Sequence, residues 1–499
     1  MNAMSRSTRN WLLSGILIIA IFLRFYHFTS TPPGLYPDEA INGNDAVAAA
    51  ETGHFFQVFY PDNNGREGLY NDILALILKA WPVYEPWVLR IPAAIAGVLT
   101  VWGLYLLAAE LFGDGTGLLA AFLLATSVWH IIFSRIAFRA ILSPLLLVWA
   151  VWLLVKAFRQ PPSSRAWWYI VTAAIVYSLG LYTYIAYRIT ALLLLVFIPF
   201  FRSTPQFWRR TLVFFLVAVA VFAPLGWYFT TVPGSFFGRT MQIAVTSAAN
   251  PAYRFAANLA KEALMFNVHG DNNWRQNVSG APELFWPVGI LFLLGLGLGA
   301  YSLFRRARKN NSAPGDAAAL FPSFGLSLSF AWLALGILPA AASDEGIPHA
   351  LRSILAIPPA MIFAALGGVW LYRLIKDHWH KRVATGIATV FLFAVAAFAY
   401  YDYFVAWAGN PNVPGAFSAN YVEIGDSINA LPSSTMKYVI VNAGGVPVNG
   451  IPMPAETTMF ISHSFTTADA AAAHIRYLLP GQTNEIPAGT PRADIFSIN

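Results

Sequence analysis

With 499 residues, 57% of them hydrophobic and only 11% charged, the chain is too apolar for a soluble domain, which carries roughly a quarter charged side chains. It contains no cysteine, so disulfides, thiolate metal centres and cysteine nucleophiles are excluded. The formal net charge of +7 is modest, and no nucleic-acid partner is needed to explain it.

Repeated apolar runs match the ~30 Å hydrocarbon core of a bilayer at 1.5 Å per helical residue. They predict an α-helical multi-pass membrane protein with eleven spans, near 10–28, 87–110, 115–133, 140–157, 166–183, 184–201, 210–230, 284–304, 322–341, 353–374 and 383–402. The first run follows Arg6 and Arg9 as a signal peptide would. No small-residue cleavage site succeeds it, so a retained first helix is expected. The fifth and sixth segments abut around YTYIAYR (182–188), which leaves a partly re-entrant alternative. The 17 Trp and 21 Tyr suit interfacial belts as well as core packing.

Basic residues gather at Arg6/Arg9, Lys156/Arg159/Arg165, Arg202/Arg209/Arg210, RRARK (305–309) and Arg373/Lys376/Lys381/Arg382, about half of the 31 Lys and Arg. That asymmetry predicts a cytoplasmic N-terminus and an extracytoplasmic C-terminus in the cytoplasmic membrane. The substantial segments then all face outward: an acidic loop at 29–86 with interfacial helices, a loop at 231–283, a short turn at 342–353 and a tail. The division expected is a transmembrane catalytic domain, 1–405, and a small extracytoplasmic α/β domain, 406–499. In the tail, 437–442 and 457–462 read as strands and 467–479 as a helix.

The acidic loop carries the candidate chemistry. From Asp38, the string DEAINGNDAVAAAETG reads as a helix ending at Gly53. Asp38 and Asn42 share a face, as do Asn42 and Asp45. A carboxylate in a first turn stays ionised with help from the helix dipole, so Asp38, with Glu39 beside it, fits a general base for a hydroxyl. The competing reading is a capping aspartate and a solvated glutamate. GREGLY (65–70) opens a second amphipathic helix, suited to the interface plane. Glu67 there could join Asp38 on one divalent ion, Mg, Mn or Zn, or Arg66 and Glu67 could simply pair. Arg66, Asn42, Tyr184 and His269 are further candidate substrate contacts. Arg135 and Arg139, Arg188 among Tyr182, Tyr184 and Tyr187, and His349 with Arg352 sit near outer span ends. Cations at that depth default to a functional partner. A phosphate matches guanidinium geometry, and snorkelling to headgroups is the alternative. His269 reads more readily as a satisfied surface histidine, and NVSG (277–280) is too short a glycosylation pattern to weigh.

LRFYHF (23–28), PGLYPDEA (33–40), NGREGLY (64–70), FSRIAFR (133–139) and PHALRSILAIPP (348–359) together resemble the GT-C glycosyltransferases, the bacterial protein O-mannosyltransferase and aminoarabinose-transferase relatives in particular. The resemblance covers about the first 200 residues and returns at 348–359. It implies transfer of a sugar from a polyprenyl-phosphate donor, held among membrane lipids, to an acceptor on the outer face. It further implies Asp38 as base with Glu39 beside it and Glu67 as the second acidic site. Arg352, with His349 and Arg139, would be the phosphate ligands. Gly68 stands where the family pattern suggests proline. A leaving phosphate neutralised by cations needs no protonating acid, so direct displacement with inversion is expected. A lipid-linked-sugar transporter or flippase is the alternative, against which the odd span count and the lack of a half-to-half repeat argue.

Overall fold

The computed structural model describes residues 4–308 and 317–499, so Lys309 of the basic run lies outside the described residues. Among the described residues, eight helices have the length and composition to cross a membrane: Arg6–Phe25, Pro86–Phe112, Arg139–Arg159, Phe207–Thr231, Trp286–Arg306, Pro322–Ala341, Ile354–His378 and Lys381–Trp407. Each answers to one of the eleven expected spans. The other three are built from shorter pieces. The 115–133 segment breaks into Asp114–Ala125 and Val128–Phe133 because Ser127 caps the second piece, accepting the His130 N–H. Ser164–Gly180 has 17 residues. The segment after it begins as a 3-10 helix, Ile185–Val196, before the α-helical Phe197–Phe201. The turn between them depends on Gly180, where a Cβ would stand 2.0 Å from the Tyr187 ring.

The chain forms two compact units. One comprises Met1–Tyr26, Ala94–Ser134 and Ala140–Ala406, and the other His27–Ala93, Arg135–Arg139 and Trp407–Asn499. The first is helical, and its core includes the fully buried Trp129 and Trp332. The second joins the first loop to the tail, a union that the sequence division at 405/406 did not contain.

In this second unit the tail supplies a three-stranded parallel sheet. Lys437–Val441 lies at its centre, between Ile475–Leu478 and Ile495–Ile498. Ile428, Val439, Val441, Met459, Ile475 and Ile498 close its core, as the α/β expectation requires. Two local expectations are corrected. Residues 457–461 form part of a helix, Ala455–Ile461, capped by Ser462, rather than a strand. Thr457 donates to the Leu35 carbonyl at 2.8 Å, and Phe460 packs over Gly43 of the Pro37–Thr52 helix, so tertiary contacts override β-propensity here. The helix expected at 467–479 stops at Ala472. His474 takes a left-handed backbone (φ 53°), and Ile-Arg-Tyr-Leu then pairs with the central strand.

Candidate active site

The Pro37–Thr52 helix is specified locally. Pro37 occupies a first-turn position where no N–H is needed. Glu39 reaches back to the Tyr36 N–H at 3.3 Å, and Gly53 ends the helix with φ 75°. Its two leading carboxylates have different surroundings. Glu39 is fully buried. Arg90 donates to it from Nε at 2.9 Å and Nη2 at 3.0 Å, and the Ala137 N–H donates at 2.7 Å. The rest of the Arg90 fork binds the Pro32 and Gly34 carbonyls at 2.7 and 2.8 Å. Glu39 is thus committed to holding the loop together. Asp38, about 100° away around the helix, is partly exposed and accepts a bond from Asn63 Nδ2 at 2.6 Å.

One turn further, Asn42 and Asp45 meet Arg66. The guanidinium donates to Asn42 Oδ1 at 2.8 Å, to Asp45 Oδ2 at 2.5 Å and to the Asp62 carbonyl at 3.3 Å. Asn42 also donates to the Ala137 carbonyl at 3.0 Å. Burial pushes the Asp45 carboxyl up to about 6 against the pull of Arg66. Arg66 and Glu67 form one strand of a two-residue ribbon with Phe59–Tyr60, and successive strand residues point to opposite faces. Glu67 is buried and faces the Arg139 Nε at 3.4 Å. Arg135 donates to the His27 and Thr31 carbonyls at 3.2 and 2.8 Å.

Asp38, Glu39, Asn42, Arg66, Glu67 and Arg139 therefore share one unit. Arg352, His349, Arg188, Tyr184 and His269 belong to the other. There, Arg352 donates to Ser343 Oγ and the Glu345 carbonyl, both at 2.6 Å, and to the Glu345 carboxylate at 3.2 Å. The loop before it is cradled by buried acceptors. Glu262 takes the His349 N–H at 2.8 Å and the Ser353 hydroxyl at 2.6 Å. Asp271 takes the Ala350 N–H at 2.9 Å, and Gln276 the Leu351 N–H at 3.3 Å. Burial raises Glu262 to about 7 and Asp271 to about 6.

His349 was grouped with the cations from sequence. Burial first, then the Arg352 charge, holds its imidazole well below the usual histidine range, so it is a neutral donor or acceptor at pH 7. Arg188 donates to the Phe236 carbonyl at 2.6 Å and lies 4.8 and 4.4 Å from the Phe229 and Phe236 ring centres. Tyr184 precedes the Ile185–Val196 3-10 helix, and His269 is exposed beside Gly280.

The two residues suggested as ligands of one divalent ion each have a partner of their own in this structure. Glu67 is turned to Arg139 and Asp38 to Asn63. Neither belongs to a cluster of three His, Asp or Glu ligand atoms among the described residues.

Sequence reasoning passed over Arg90, although a lone arginine within the apolar run VLRIPAA was a signal. It also missed Asn63, which no pattern marks, and the buried Glu456, whose carboxylate accepts from Asn44 Nδ2 at 2.7 Å.

Residues 73–228 match the family model of dolichyl-phosphate-mannose-protein mannosyltransferases. No curated protein matches the sequence. Among solved structures, the apo oligosaccharyltransferase of Archaeoglobus fulgidus is similar at TM-score 0.58 and 13% identity, over 92% of this chain and 64% of that one. ArnT from Cupriavidus metallidurans bound to undecaprenyl phosphate is similar at TM-score 0.55 and 13% identity, over 95% and 90%. The fold is that of the GT-C glycosyltransferases. The archaeal oligosaccharyltransferase AglB from Archaeoglobus fulgidus, in complex with an inhibitory peptide and a dolichol-phosphate, matches at TM-score 0.53 and 14% identity, over 96% and 70%. Our chain thus spans a little under two thirds of the apo oligosaccharyltransferase and most of ArnT. Family model and GT-C fold agree with the resemblance read from the motifs.

Proposed function

We propose that this protein is a membrane glycosyltransferase that moves a sugar from a polyprenyl-phosphate donor to an acceptor hydroxyl on the outer face of the cytoplasmic membrane. The observation that carries the site assignment is the contrast at the head of the Pro37–Thr52 helix. Glu39 is buried and saturated, whereas Asp38 is partly exposed with Asn63 as its hydrogen-bond donor. Asp38 is the group with room to take a proton.

In this reading Asp38 removes the acceptor proton as the acceptor oxygen bonds to the anomeric carbon. The bond from that carbon to the phosphate oxygen breaks, and the lipid phosphate leaves with the electron pair. One displacement inverts the anomeric centre. Glu67 with Arg139 borders the acceptor side. The resemblance assigns phosphate binding to Arg352, whose guanidinium is held by the exposed Glu345 carboxylate, with neutral His349 three residues before it. Support comes from the family match over 73–228 and from fold neighbours solved with undecaprenyl phosphate and dolichol-phosphate.

The test is transfer in nanodiscs from radiolabelled polyprenyl-phosphate sugars to a membrane-extract acceptor pool. Label should leave the lipid with wild type, and Asp38→Asn should lower the rate by about 10²–10⁴-fold, the usual span for a general base. Asp38→Asn at full rate removes the assignment, a retained anomeric configuration removes the single displacement, and labelled lipid crossing the bilayer intact favours a flippase. Orientation is testable because the chain has no cysteine. A thiol reagent added outside should label His269→Cys and leave Gln160→Cys unlabelled until the membrane is opened.

A further inference from the structure

Away from Asp38, three ligating side chains meet within the unit formed by the first loop and the tail. Glu51 lies in the last turn of the Pro37–Thr52 helix, His463 just after the Ala455–Ile461 helix, and Asp469 in the first turn of Thr467–Ala472. One ligand atom from each lies within 4.8 Å of the others, and His463 Nε2 is 2.7 Å from Glu51 Oε1.

Two of the three are already positioned. The His463 ring stacks on Tyr84 at 4.2 Å with 12° between planes, and its backbone sits in the left-handed region at φ 48°. Asp469 is held by the Thr466 N–H at 3.3 Å and by the Thr466 hydroxyl. Among the described residues no Lys or Arg pairs with Glu51 or Asp469, whereas Glu39, Asp45 and Glu67 each have a guanidinium. Two carboxylates thus face one imidazole with no Lys or Arg paired to either among the described residues.

We infer that Glu51, His463 and Asp469 bind one zinc ion, fastening the tail to the first loop across 412 residues of chain. Zinc takes His nitrogen and carboxylate oxygen at about 2.0–2.2 Å in tetrahedral geometry, which puts ligand atoms roughly 3.3–3.5 Å apart. Binding requires side-chain rotation from the present arrangement, in which the ligand atoms lie within 4.8 Å of one another. An imidazole ligand favours zinc over magnesium or calcium, which prefer all-oxygen shells. The three protein ligands leave a fourth position to water. The inference stands apart from the sugar-transfer reading.

Cobalt(II) is the probe, added to chelator-treated full-length protein in nanodiscs at a pH where the imidazole is neutral. One equivalent should give the ligand-field absorption of a low-symmetry His/carboxylate site, displaced by zinc, and zinc should raise the unfolding temperature. His463→Ala and Glu51→Gln should lose both effects. Glu51→Gln keeps an oxygen near His463 and so preserves the packing, and Asp38→Asn should retain both. An unchanged spectrum in His463→Ala, or no saturable absorption with wild type, overturns the inference.

Discussion

The molecule handles buried carboxylates in two ways. In the unit containing the first loop, Glu39, Asp45 and Glu67 each meet a guanidinium: Arg90 at 2.9 Å, Arg66 at 2.5 Å and Arg139 at 3.4 Å. In the other unit, Glu262 and Asp271 accept mainly from backbone N–H groups and a serine, and burial lifts their carboxyls to about 7 and about 6. In the first arrangement each carboxylate leans on one guanidinium, although burial still lifts Asp45 to about 6. The second orders the loop that bears Arg352 with groups close to gaining or losing a proton. An ion pair and a backbone cradle thus do the same positioning work, the first through a single partner side chain and the second through several backbone donors.

Breaking the first arrangement should have the largest effect. Arg90→Ala leaves Glu39 charged and buried without its partner, which typically costs about 3–5 kcal/mol. Thermal unfolding of the detergent-solubilised protein should show a large drop or loss of the folded fraction. A shift within that of a surface substitution would mean Glu39 is sustained by the Ala137 and Tyr36 N–H groups alone.

Sharpening the second needs a pH series. Glu262 binds its proton more tightly in the folded protein, near 7, than at its ordinary 4.5. More protons are then bound in the native state across that window, so stability falls as pH rises. The contribution is full below about 4.5 and lost as pH passes through 7. Asp271 behaves alike between 3.8 and about 6. Glu262→Gln, which keeps an acceptor for the His349 N–H, should flatten the decline in unfolding temperature between pH 4.5 and 7. A slope identical to wild type would place the titration elsewhere.

The smallest effect is expected at Asp38. Asp38→Asn should alter unfolding by no more than about 0.5 kcal/mol, the range of surface changes away from special features, even as transfer falls. A destabilisation comparable to that of Arg90→Ala would make Asp38 a structural cap, the reading set against the base from the outset.

Much of this was legible in the chain itself. Apolar runs of bilayer length announce membrane helices, because the hydrocarbon core sets one dimension that every span must meet. The Pro-Asp-Glu entry and Gly53 exit bound the first-loop helix because capping is local chemistry. The motifs from 23 to 139 and at 348–359 carried the GT-C resemblance. Which carboxylate of the Asp38–Glu39 pair stays available was not legible. The answer depends on Arg90, 51 positions beyond Glu39, and on the Ala137 N–H, 98 positions beyond it. Nor could the sequence show that His349 is neutral, since burial depends on what the fold packs around it. The tail misled for a related reason: Thr457–Ile461 has strand composition, but the face it must cover belongs to the Pro37–Thr52 helix. Length, hydropathy and caps act within a few residues and so could be read directly. Ionisation, pairing and the union of first loop and tail depend on contacts from tens to hundreds of residues apart, and only the tertiary structure decided them.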